Sequence, residues 1–176
     1  ESTDPKFKQT VIGIASETYS CAATPVQYAA IEAYQVGPEI EAYLAHQRRI
    51  LNLCANHMYE ALVEKGVKLH KPEGGFYLNP DFSALKDKLA QKGVSTNETL
   101  CAQLLKETSV AILPGNAFGY KPEQLVARIA YVDFNGPNAL AASQDIGLDT
   151  DLDDSFLHKW CPKIVEGTKR MQEWLS

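Results

Sequence analysis

Leu125-Val126-Ala127-Arg128-Ile129-Ala130-Tyr131-Val132 is an apolar run with a single charge inside it. A guanidinium cannot shed its proton, so a strand that carries one inward must supply an anion or leave a charge unpaired at several kcal/mol. No acid lies within the run. On a strand, Val126, Arg128, Ala130 and Val132 share one face, while Ala127, Ile129 and Tyr131 share the other. The partner of Arg128 is therefore distant in sequence, or it is a ligand. The plainer alternatives are a structural acid elsewhere in the fold and a side chain snorkelling from an edge strand.

Working outward from this strand, residues 67 to 133 have a mixed pattern. Short strands are expected at Val67–His70, Phe76–Asn79, Val110–Leu113 and Val126–Asp133, with helices at about Phe82–Gln91 and Thr96–Thr108. Thr96, Asn97 and Glu98 make a capping start, and Pro114-Gly115 with Gly119 punctuates the loop between the last two strands. Upstream, Ile40, Leu44, Leu51, Cys54, Met58 and Leu62 recur at helical spacing from Glu39 to Lys65, and Gly66 follows as a natural C-cap. Such a helix is about 40 Å long at 1.5 Å per residue, which suits a connection between two bodies. Before it, Pro5 to about Ala15 has a weak helical pattern. Thr24-Pro25 looks like the cap and first position of a helix that ends at Gly37-Pro38, after the small-residue run Ser20-Cys21-Ala22-Ala23. Downstream, Gly136-Pro137-Asn138 opens a short helix to about Ser143. A terminal helical stretch from Ser155 presents Phe156, Trp160, Ile164, Met171 and Leu175, and Pro162 should break or bend it early.

Composition bounds the function. The 176 residues, 45% of them hydrophobic, suffice for a real core, and a net charge of -5 with no basic stripe argues against nucleic acid and anionic membranes as partners. Cys21, Cys54, Cys101 and Cys161 are far apart, without a CxxC or a Cys/His pairing, and read as reduced thiols of a soluble, cytoplasmic protein. No apolar run approaches the roughly 18 residues a membrane helix needs, and no secretion signal is visible. His46, His57, His70 and His158 lack metal-ligand spacing. The acidic run Asp149–Asp154 has the alternation of a calcium loop, but Asp154 stands where that loop needs glycine and Trp160 where it needs a bidentate acid. It reads as solvated acids near a helix N-terminus. Gly115 to Lys121 has neither P-loop nor GxGxxG spacing, and no GxSxG elbow occurs. The loop is a structural turn or a backbone shaped around a ligand. Gly74-Gly75, directly before the aromatic strand, permits close approach of another strand or of a ligand set against Phe76.

Several of these segments occur in a telling order. Pro72-Glu73-Gly74-Gly75-Phe76-Tyr77 resembles a P-x-G-[GA]-F-Y strand, Val110–Gly115 with Phe118-Gly119 a V-x-x-x-P-G-x-x-F-G segment, and Val126–Ala130 an arginine strand. With the long helix from Glu39 and the segment Tyr19–Ala30, they resemble the C-terminal part of a class I/II aminotransferase dependent on pyridoxal phosphate, of the aspartate aminotransferase fold type. The resemblance runs from about Ile14 to the end. It implies an α+β small domain, residues 67–176, with a mixed sheet flanked by helices. This follows an interdomain helix at 38–66 and, at 1–37, the tail of the large cofactor-binding domain. It implies that Arg128 binds the substrate α-carboxylate, that Phe76 lines the substrate side, and that Ser16 occupies a position bearing arginine in dicarboxylate-specific members. Amino acid and 2-oxo acid substrates, a homodimer at full length and pyridoxal 5'-phosphate as cofactor are likewise implied. The lysine that forms the Schiff base, and the glycine and aspartate that position the cofactor, are expected outside this chain, which alone should be inactive. A decarboxylase or carbon–sulfur lyase of the same fold would use the same arginine. A non-catalytic binding domain that keeps the fold is the alternative of another class.

Overall fold

The protein is described from a computed structural model, which covers residues 4–19 and 21–176. The small-residue run before Thr24 therefore includes one position, Ser20, that lies outside the described residues. The chain divides into two compact units, one ending at Glu41 and the other Ala42–Ser176.

The first unit holds α1 (Pro5–Thr18) and α2 (Thr24–Ala33). Asp4 caps α1 by accepting from the Lys6 amide, a better start than the weak periodicity suggests. The cap expected at Thr24 sits one residue earlier, at Ala23, because Thr24 is already helical; Ala23 offers no side-chain bond. Neither helix has a buried residue, and Phe7, Ile12, Ile14, Tyr28 and Ile31 are all exposed.

Helix α3 (Pro38–Glu64) is the long helix expected at Glu39–Lys65, and the division between the units falls within it. Gly66 terminates it at φ 84°, where the Val67 amide reaches back to the Leu62 carbonyl. Its face Ile50, Cys54, Met58 and Leu62 lies in the core of the second unit, where Ile50, Met58 and Leu62 each contribute about 1.5–3 kcal/mol by burial.

The sheet is smaller than the sequence pattern implies. β1 (Tyr77–Leu78), β2 (Leu113–Pro114) and β3 (Ala127–Ala130) lie in the order β1-β3-β2, every pairing antiparallel. The strand expected at Val67–His70 is reduced to one bridge, Lys68 to Asp81. Asp81 also bridges Val126, so the ladder beside β3 passes from one short segment to the next instead of forming one long strand. The expected helix at Phe82–Gln91 is a 3-10 turn, Ser83–Leu85, followed by α4 (Lys86–Ala90). Helix α5 (Asn97–Thr108) starts with a capping box between Thr96 and Thr99. Helix α6 is Gly136–Ile146, and Asn135 caps it. The break at Pro162 divides the C-terminal stretch into α7 (Asp154–Trp160) and α8 (Pro162–Leu175). Asp153 of the acidic run caps α7 through the Phe156 amide; the Ser155 hydroxyl first, and then that amide, hold its carboxyl below the usual range. Leu100 and Leu104 of α5, Phe156 and Leu157 of α7, and Ile164 and Met171 of α8 close the core. All four cysteines are free thiols, and among the described residues no helix is long and apolar enough to cross a membrane.

Candidate functional site

The alternation holds from Ala127 onward, whereas Val126, on the Arg128 face by register, is buried where it bridges Asp81. Ala127, Ile129 and Tyr131 are buried, whereas Arg128 is half-buried on the other face and Ala130 and Val132 are exposed. What Arg128 meets there was not legible. None of the ion pairs among the described residues includes it. Its guanidinium carbon lies 3.9 Å from the centre of the Phe118 ring and 4.3 Å from that of Tyr77. Its Nε is buried and has no hydrogen-bond partner.

Backbone pairing brings these three residues together. β3 is the central strand: Tyr77 of β1 sits opposite Ala130, one alternation along from Arg128, and Leu113 of β2 sits directly opposite Arg128. After β2 the chain makes a 3-10 turn, Gly115–Phe118, which delivers the Phe118 ring from the other side of β3. Gly115 is required there. A Cβ at that position would lie 2.7 Å from the Val126 carbonyl oxygen, to which the Gly115 amide already donates at 2.9 Å. Gly119 then reverses the chain at φ 85°. Ring faces attract the cation and fix its plane without using any N–H donor. The guanidinium is thus oriented while its hydrogen-bonding capacity stays free for a planar anion.

Phe76 packs against Tyr77, ring centres 4.3 Å apart at 44°, and remains 42% exposed, so it flanks the ring that covers Arg128. The two glycines before it do not serve close backbone approach, since a Cβ on either would meet open space. Gly75 is needed instead for its φ of 73°, in a turn pinned by the Tyr131 hydroxyl donating to its carbonyl at 3.1 Å. Ser16 lies exposed in α1, in the first unit. Of the residues singled out in the sequence, Arg128 lies on β3, Phe76 directly precedes the neighbouring β1 and Ser16 lies in the other unit, while Tyr77 and Phe118, whose rings cover Arg128, were not among them. The available signal was that each sits within a motif already singled out.

The second unit, with its small antiparallel sheet and flanking helices, has the fold of the aspartate aminotransferase type. A crystal structure of Thermotoga maritima aspartate aminotransferase superposes on 97% of this chain with a TM-score of 0.51 and 25% identity, using 33% of its own length. An aromatic aminotransferase of Pyrococcus horikoshii shares the fold over 93% of the chain, with a TM-score of 0.58 and 24% identity, using 34% of its own length.

The family described as aminotransferase class I and II matches residues 2–134, and the chain belongs to that family. Among relatives, the aspartate/prephenate aminotransferase of Cereibacter sphaeroides is 36% identical over 121 residues, which make up 67% of this chain and 29% of that protein. The aspartate aminotransferase of a Bacillus species is 36% identical over 107 residues, 60% of this chain and 26% of that protein. The chain thus spans less than a third of the relatives it matches.

Proposed function

We propose that this chain is the C-terminal part of an aminotransferase that moves an amino group between an amino acid and a 2-oxo acid, with Arg128 holding the substrate α-carboxylate. The observation that carries the reading is the state of Arg128: a half-buried cation, oriented by two rings, with no acid paired to it among the described residues and with Nε unpartnered. A carboxylate arriving edge-on to the guanidinium forms two parallel N–H···O bonds and fixes the direction of the α-carbon. Tyr77 and Phe118 keep the guanidinium in plane and exclude water from its faces. Phe76 gives the substrate an apolar wall. Residues 1–37, 38–66 and 67–176 are read as the tail of a large domain, an interdomain helix and a small domain.

Pyridoxal phosphate, the cofactor this family membership implies, supplies an electron sink for bond changes at the α-carbon. Its anchor is not found among the described residues. An imine-forming lysine needs desolvation to become nucleophilic, and every lysine here is at least partly exposed. The residues in hand suit the carboxylate end of the substrate, and none of the described lysines is desolvated as a cofactor anchor would need to be.

A second reading, a domain that keeps the fold without the reaction, is favoured by one observation. A relative from Saccharomyces cerevisiae, 29% identical over 105 residues, carries the name inactive alanine aminotransferase. Borohydride reduction of the natural full-length protein separates the readings. A covalent cofactor–lysine adduct outside these 176 residues, together with a KM for the amino donor raised roughly 30-fold or more in Arg128→Ala, supports the enzyme. Absence of the adduct, and no effect of amino acids on melting, leaves the binding domain.

A further inference from the structure

The ring of Phe118 is held over Arg128 from behind. Asn97, the first residue of α5, is fully buried, yet it is polar and none of its bonds serves its own helix cap. Its Nδ2 donates to the carbonyls of Lys121 at 3.0 Å and Gln124 at 3.1 Å, and its amide donates to the carbonyl of Pro122 at 2.9 Å. Next to it, the Glu98 carboxylate accepts from the Asn116 side-chain amide at 2.6 Å. Between the point fixed by Glu98 and the point fixed by Asn97 lie only Ala117, Phe118, Gly119 and Tyr120. These two attachments fix the backbone that presents the Phe118 ring to Arg128. The arrangement has a cost, because Asn97 Oδ1 is buried without a partner. An apolar residue of the same size would avoid that cost but would take this donor from the Lys121 and Gln124 carbonyls.

We infer that Asn97, assisted by Glu98, is a positioning residue for the carboxylate site: it acts through the 115–124 loop to keep the Phe118 ring against the Arg128 guanidinium. The inference rests on the reading of Arg128 as the anchor, and its test is chosen to be independent of turnover.

The test is the rate at which phenylglyoxal modifies Arg128, followed peptide by peptide by mass spectrometry in the natural full-length protein, with thermal melts in parallel. Phe118→Ala uncovers the guanidinium and raises the rate roughly fivefold, the scale of one cation–π contact. Asn97→Ala raises it by a similar factor, and the double variant reacts no faster than Phe118→Ala alone, because both changes remove the same contact. Independent, multiplying effects would overturn the inference. So would an Asn97→Ala protein that melts earlier but protects Arg128 as well as the wild type. Should Asn97→Ala fail to fold, the exposed Glu98 decides. Glu98→Ala raises the Arg128 rate while Glu98→Gln, whose amide oxygen still accepts from Asn116, does not; equal rates in both variants and wild type overturn it. Protection of Arg128 by pyruvate is scored separately. Its absence would count against the anchor reading while leaving the coupling of Asn97 to Phe118 intact.

Discussion

Arg49 and Arg128 are both half-buried, and neither enters an ion pair among the described residues, but they are held in opposite ways. Arg49, on α3, spends its donors on the end of α6. Its Nε donates to the Ser143 hydroxyl at 2.7 Å, Nη1 to the carbonyls of Gly147 at 2.7 Å and Thr150 at 2.9 Å, and Nη2 to the Ser143 carbonyl. The Ser143 and Gly147 carbonyls among them belong to a helix C-terminus, where a cation also meets the negative end of the dipole. Arg128 has two ring faces and, among the described residues, no acceptor on its Nε. An arginine that holds a fold together is saturated by protein oxygens, whereas one that awaits an anion is oriented by groups that leave its donors free. Neither role is legible from the residue type, and burial alone does not distinguish them.

The contrast can be broken most sharply at Arg128 itself. Arg128→Ala is expected to cost about 2–5 kcal/mol of carboxylate binding and to leave the melting temperature nearly unchanged. Arg128→Lys should restore little, because an ammonium neither stacks on the rings nor binds a carboxylate through two parallel bonds. Substrate titration alongside a thermal melt reads both quantities, and a large loss of stability in Arg128→Ala would erase the distinction. Arg49→Ala should behave in the reverse sense, losing about 2–3 kcal/mol of folding stability by denaturant titration as the α6 carbonyls lose their donors, with carboxylate binding unchanged. Gly115→Ala tests the turn that delivers Phe118. The clash with the Val126 carbonyl should cost about 1–3 kcal/mol and raise Arg128 reactivity together with it.

The smallest effect concerns pH. His46 is buried, with Nδ1 2.8 Å from the Ser143 hydroxyl, and burial followed by the charge of Arg49 lowers its pKa from the ordinary 6.5. The unfolded chain therefore binds the proton more tightly than the folded one. This contribution to stability is complete above about pH 6.5 and is lost as the pH falls toward the folded pKa. Melting temperatures of His46→Asn should change less between pH 7.5 and 5.5 than those of the wild type, and parallel curves would remove His46 from the account.

The sequence disclosed the helices better than the sheet, for a physical reason. Periodicity over α3 is sustained for many turns, and local chemistry marks its end at Gly66, so its bounds are nearly right. The strands are two to four residues long, too short to show a period, and their register depends on partners far away in the chain. Alternation around Arg128 was legible because one face is core. The two rings beside it were not, because a side-chain contact across a sheet leaves no mark on local pattern. Asn97 was similarly disguised: next to Thr96 it reads as part of a helix start, and its bonds to Lys121 and Gln124 exist only in the folded chain.

The strand order β1-β3-β2 also sets a sequence of events. Leu113 pairs with Arg128 across 15 positions (128 − 113), whereas Leu78 pairs with Ile129 across 51 (129 − 78). Closing the longer loop costs about 1 kcal/mol more chain entropy. The β2–β3 hairpin should therefore be more fully formed than the β1 pairing at the folding barrier, giving larger φ-values around Leu113 than around Leu78. On that order the arginine acquires the Phe118 ring early and the Tyr77 ring last, so the site is completed only as the slowest pairing of the sheet closes.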